Sequence, residues 1–302
     1  MSDLGNRTEF YYDFYADNRK VHKLQKYFYV DAALTGTSAN WSGRRHEAAL
    51  PTLAAAYSAC TASRGDRIIV SPFHTETTTA VLTASKIGVS IEGQVIGNRR
   101  PIITGNSTAD TISLTAASQT VSGLRFAAPS TDAQTSDINV AAANCKIENT
   151  LHIGATTDLN KVDIITIASG GDDLLIDGAR IYNAVVECVG GIVLEAAVAR
   201  PEIRNCFVYD AIGFTDGCLS DEAAATACYI HHNVWMNAKA ATVVLNFVTN
   251  STGTCSFNHI VGRHTTIASN VVAGTGMNFF ENRVVEEAAL GGLISVPTVD
   301  VD

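Results

Sequence analysis

The sequence predicts an all-β chain: a single-stranded, right-handed parallel β-helix of about eight to nine coils, with a short N-terminal capping helix and an N-terminal arm. Three observations predict it. First, a nine-residue frame recurs, clearest as IDGARIYNA from Ile176, IRNCFVYDA from Ile203 and IHHNVWMNA from Ile230, and again from Ile91, Val121, Ile147, Phe257 and Phe280. The steps between starts are 30, 26, 29, 27, 27, 27 and 23 residues, too short for a propeller blade of about 40–45. Second, each copy opens on a large apolar residue and places Gly, Asn or His two positions on: Gly93, Gly123, Asn149, Gly178, Asn205, His232, His259 and Asn282. Gly and Asn, and less often His, tolerate the left-handed backbone of a sharp bend. Third, the flanking runs are short and rich in Val, Ile, Thr and Gly, which suits strands and disfavours helical repeats.

Taken in order, residues 1–28 form an arm, 29–66 a leading segment with the capping helix, 67–290 the solenoid and 291–302 a tail. The arm holds seven of the chain's 22 aromatic residues, interleaved with basic ones. Phe10, Tyr11, Tyr12, Phe14, Tyr15, Arg19, Lys20, Lys23 and Lys26 are the candidate partner-binding residues, because Tyr, Phe and Arg are favoured interface anchors. The other reading of the arm is a cap folded back over the first coil. The capping helix is expected over about His46 to Cys60, with Leu50, Leu53, Ala54 and Tyr57 on a helical period. Such a helix would cover the unpaired strand edge that a solenoid exposes at its end. Arg67-Ile68-Ile69-Val70 then starts a strand, and the chain finishes with Gly291-Gly292, Pro297 and acidic residues.

Charged residues make up 17% of the chain, low against about 25% in typical domains, as stacked apolar coils require. The net charge of −9 divides into +3 over residues 1–100 (12 basic, 9 acidic) and −12 over 101–302 (9 basic, 21 acidic). An acidic body argues against nucleic acid as a partner. The seven cysteines are odd in number and form no Cys-x-x-Cys pair, so free buried thiols are expected. No apolar leader and no run of 18 apolar residues occurs, so no membrane partner is expected, and the chain is expected to fold in the cytoplasm.

The stretch Tyr29-Val30-Asp31, Trp41, Pro51-Thr52-Leu53-Ala54-Ala55-Ala56, Arg64-Gly65-Asp66-Arg67-Ile68-Ile69-Val70-Ser71-Pro72 and Thr75-Glu76 resembles the opening of pectate-lyase-like β-helix proteins. Phe73-His74 stands where that superfamily usually has Gly. With the repeated frames the resemblance covers residues 29–288 and implies fold more than function, since this superfold hosts lyases, hydrolases, adhesins and viral structural proteins. The basic-aromatic arm and compact solenoid are most similar to β-helical virion proteins of tailed bacteriophages.

Enzymatic members of the superfamily carry paired acids and bases on successive coils. Of the polygalacturonase-type set only Asp172-Asp173 is present, after Gly170-Gly171, where a turn is the simpler reading. In the second frame position Glu148 and Asp177 are the only adjacent carboxylates, with Arg204 next, which reads as a surface ion pair. Asp210, Asp216, Asp221 and Glu222 cluster in one return and read as a solvated acidic loop rather than a cation site. His232 and His259 share a frame position and are expected to stack on consecutive coils, but a third metal ligand is missing. No catalytic residue, metal or cofactor is therefore expected. The expectation is a structural virion protein of a tailed phage, a homotrimer decorating the capsid or a head fibre and bound to the major capsid protein or another virion subunit. The alternative is a short tailspike acting on host surface polysaccharide.

Overall fold

A computed structural model describes residues 25–34, 43–44, 48–129, 133–154, 161–183, 188–240, 242–247, 250–263, 270–273 and 275–286. The chain is a parallel β-solenoid whose coils stack into three sheets of ten, nine and eight strands. Within each sheet every strand pairs in parallel with the strand one coil away, so sequence neighbours lie in different sheets. This is the fold class the frame predicts.

The first sheet shows why. One inward column runs Phe28, Ile68, Ile91, Val121, Ile147, Ile176, Ile203, Ile230, Cys255 and Phe279. From Phe28 to Cys255 all are buried. Burial of each such side chain contributes roughly 1.5–3 kcal/mol, so the stack is held along its length rather than by one central cluster.

The column also corrects the frame at its end. Cys255 and Phe279, not Phe257 and Phe280, continue it. The coil from Ile230 to Cys255 spans 25 residues instead of 27, and the next spans 24. The bend column therefore runs Gly123, Asn149, Gly178, Asn205, His232, Phe257 and Glu281, all with positive φ. Apolar Phe257 mimics a strand residue in the sequence, yet it occupies a left-handed bend and is exposed.

The last coils differ in a second way. The residue after the bend points inward, and it changes from Leu124, Thr150, Ala179 and Cys206 to Asn233, Asn258 and Asn282. These three amides form a ladder. Asn258 Oδ1 accepts from the Asn233 main-chain N–H and side-chain amide (both 3.0 Å), and Asn258 Nδ2 donates to the Ile230 carbonyl at 3.0 Å. Asn282 Oδ1 in turn accepts from the Asn258 main chain and Nδ2, at 3.0 and 2.9 Å.

The capping helix is shorter than expected, spanning Leu53–Ala59. Thr52 is extended (φ −138°) and its Oγ1 accepts from the Ala55 N–H at 3.1 Å, so the first turn is capped there. Upstream, Leu50 pairs with the Tyr27–Val30 strand instead of being helical. Leu53, Ala56 and Tyr57 face the core.

Phe10 to Lys23 of the arm lie outside the described residues. Lys26, Tyr27 and Phe28 are described. Tyr27 and Phe28 open the first strand, and the Lys26 N–H donates to Asp66 Oδ1 at 3.0 Å. All seven cysteines are free and buried.

Candidate functional site

The second sheet carries an inward column of Ile103, Phe126, His152, Ile181, Val208, Trp235, Ile260 and Val284. His152 is the one ionisable side chain in this run. Alternation of a Leu-His-Ile strand forces it inward, and it stacks on Phe126 with ring centroids 4.9 Å apart and planes 5° apart. His152 Nδ1 lies 2.9 Å from Asp137 Oδ2, and Nε2 lies 2.9 Å from Thr150 Oγ1. Burial pushes the His152 pKa down, against the pull of Asp137, which favours the neutral ring. Lys161, from the next coil, completes the group. Its Nζ contacts both Asp137 oxygens at 2.7 Å and donates to the Ile153 and Ala127 carbonyls at 2.7 and 3.0 Å. Asp137, His152 and Lys161 are 1, 0 and 0% exposed, so the charged pair is compensated internally rather than by water.

The third sheet holds the second polar group. Asn139, Thr166, Val193, Ser220 and Asn246 are in register, alternate with the inward Ile138, Ile165, Ile192 and Leu219, and so point outward. Beside them Asp110 accepts from Ser136 Oγ at 2.8 Å and from Asn139 Nδ2 at 3.1 Å. Asp163 heads its strand where the following coils place Gly190 and Gly217; a Cβ on Gly190 would sit 2.8 Å from its carboxylate. Asn139 Oδ1, Asp163 Oδ1 and Ser220 Oγ are buried without a hydrogen-bond partner. At the far end of these strands the Glu195 N–H bonds to the Ile167 carbonyl and the Glu222 N–H to the Leu194 carbonyl. Glu195 and Glu222 therefore occupy one column on adjacent coils, with backbones about 4.8 Å apart. Partial desolvation first, then Glu222, pushes the carboxyl of the exposed Glu195 up.

Burial, followed by repulsion from Glu195, Glu222 and Asp216, pushes the Asp163 carboxyl up to about 7. The folded chain then holds a proton that the unfolded chain releases near its ordinary 3.8, so this group makes stability fall as pH rises between those values. Asp163→Asn is expected to remove that slope. Urea unfolding at stepped pH should show it gaining on the wild type up to neutral pH and then running parallel; a constant difference would contradict the assignment.

The candidates expected from the sequence fall into place according to the winding of the coils. Glu148 and Asp177 are in register as expected, and Arg204 donates to Asp177 (2.9 Å) and Glu202 (2.7 Å). Burial opposes it, but hydrogen bonds from Asn205 and Arg204 hold the Asp177 carboxyl below its ordinary range. Asp172-Asp173 do sit in a turn, Asp172 accepting from the Ala199 N–H and Asp173 pairing with Arg200. The acidic return does not converge. Asp210 is buried, accepting from the Ile212 and Gly213 N–H groups and Asn183, while Asp221 is buried with Ser251. His232 and His259 do not stack: His232 lies in the bend against Phe257 (5.2 Å), and His259 sits in the second sheet opposite Val234 and Arg283. The shift follows from the two residues missing from that coil. Among the described residues no three His, Cys, Asp or Glu side chains are placed to hold a metal ion. No helix among them is long and apolar enough to cross a membrane.

Sequence reasoning missed the Asp137–His152–Lys161 group and the third-sheet face. A signal existed for the latter, since Glu195 and Glu222 are 27 residues apart, the step of the clearest frames. No known family and no curated protein matches the sequence. Among solved structures a rhamnogalacturonan lyase is similar, at 9% identity and a TM-score of 0.39, over 85% of this chain and 87% of that one. At that score the likeness says nothing about chemistry, and the parallel β-solenoid stands on the strand pairing above.

Proposed function

We propose that this protein is a structural component of a tailed-phage virion, a stiff solenoid held to the particle by the N-terminal arm that precedes its first strand and assembling as a trimer. The observation that carries this reading is the join between arm and body. Tyr27–Val30 is hydrogen-bonded in parallel to Arg67–Val70 over four residue pairs, with Arg67 over the Tyr27 ring and the Lys26 N–H on Asp66. The chain that follows the aromatic-basic segment is thus part of the first rung, so the arm is covalently continuous with the hydrogen-bonded stack. Deleting residues 1–24 is expected to abolish co-sedimentation with particles while leaving the melting transition unchanged. A truncated chain that still binds would overturn the reading.

A second reading, contact with host surface polysaccharide, is favoured by one observation: the exposed Glu195 and Glu222 stacked one coil apart. Two carboxylates in one column on adjacent coils are the kind of pair that glycoside hydrolysis uses. Release of reducing ends that disappears in Glu195→Gln would establish it over the structural reading.

A further inference from the structure

We propose that Asp137 and Lys161 become joined by an amide bond that ties two consecutive coils inside the solenoid. Lys161 Nζ lies 2.7 Å from each Asp137 oxygen, so the nitrogen is held against the carboxyl, and a turn of that carboxyl about its Cβ–Cγ bond presents the face of Cγ to it. The two side chains come from coils 24 residues apart and meet where neither reaches solvent. The Ala127 and Ile153 carbonyls hold the other Nζ hydrogens, which fixes the nitrogen against the carboxyl rather than leaving it to rotate.

The step balances without a co-reactant. One proton passes from the Lys161 ammonium to Asp137, giving a neutral amine and a carboxylic acid. The amine lone pair attacks Cγ, the N–C bond forms, and a C–O bond breaks. The departing hydroxyl leaves as water with a second proton from nitrogen. His152 is placed to assist, because its Nδ1 meets Asp137 Oδ2, where negative charge develops in the tetrahedral intermediate, and Thr150 fixes the ring through Nε2. Phe126 lies flat against the other side of that ring and keeps water away. A condensation that expels water is favoured in a site from which water is excluded.

Trypsin reads the outcome on the wild-type protein. Without the bond, cleavage after Arg125, Lys146, Lys161 and Arg180 yields separate peptides 126–146, 147–161 and 162–180. With it, Lys161 is no longer a cleavage site. The expected product is one branched peptide joining 126–146 to 147–180, lighter than its parts by one water and absent from Lys161→Met. Folded protein held at neutral pH that returns only the three separate peptides would show an ion pair and overturn the proposal. A second readout addresses His152: in His152→Phe the branched peptide should form about a hundredfold more slowly. An unchanged rate would remove the histidine from the reaction.

Discussion

Replacing Asp137 with alanine is expected to destabilise the folded chain by about 3–5 kcal/mol, read from denaturant unfolding. The loss comes from what remains. Lys161 stays 0% exposed with two carbonyls and no counter-charge, and His152 loses the acceptor on Nδ1. An uncompensated buried charge costs far more than the ion pair contributes when intact. The double variant Asp137→Ala, Lys161→Met is therefore expected to recover much of the loss, since it removes both charges together. If the single variant were within about 1 kcal/mol of wild type, the group would not be the internal tie described. The amide proposed for this pair would make the single substitution costlier still, because a covalent tie between coils would go with it.

Asn258→Ala is the second large effect, about 3 kcal/mol or more. Alanine takes the Asn258 side chain away from the buried Asn233 N–H and the Ile230 carbonyl, while Asn233 Nδ2 keeps the Ile203 carbonyl and Asn282 Oδ1 keeps the main-chain N–H of residue 258. Each orphaned buried group costs about 1–3 kcal/mol. Asn258→Asp is expected to fall between, since its carboxylate still accepts from Asn233 but donates nothing to Ile230. Hydrogen exchange would locate the damage: protection should drop at Asn233 and Asn258 and persist in the coils near Ile147. Uniform loss along the solenoid would mean the ladder is not a local lock.

These two residues also mark where sequence reasoning reaches and where it stops. The column from Ile176 to Ile230 is directly readable, because one side chain per coil must point inward and both coils there are 27 residues long. The frame fails at Phe257 because a coil two residues shorter moves an apolar residue into the bend, and periodicity alone cannot tell a bend phenylalanine from a strand one. By the frame, Asn258 falls one position before the bend residue; in the fold it falls one after it. The Asp137–His152–Lys161 group is hidden for another reason. Its members lie 15 and 24 residues apart on two coils, outside the nine-residue frame, and only the winding of the chain brings them together. The helix starts later than its apolar period suggests because Leu50, though on that period, pairs with the first strand, and Pro51-Thr52 begin the helix after it.

The buried thiols make the solenoid a gauge of its own unravelling. Burial pushes Cys188 up to about 11 and Cys60, Cys206, Cys228 and Cys255 up to about 12, so a folded coil presents no thiolate to an alkylating reagent at neutral pH. The thiols are spaced from the capping helix at Cys60 through the middle coils at Cys145 and Cys188 to Cys255 near the other end. In a stack where each coil contacts only its neighbours, opening proceeds from the ends. The order in which the seven positions become alkylated therefore records how far each end has peeled back, with Cys145 and Cys188 the last to react.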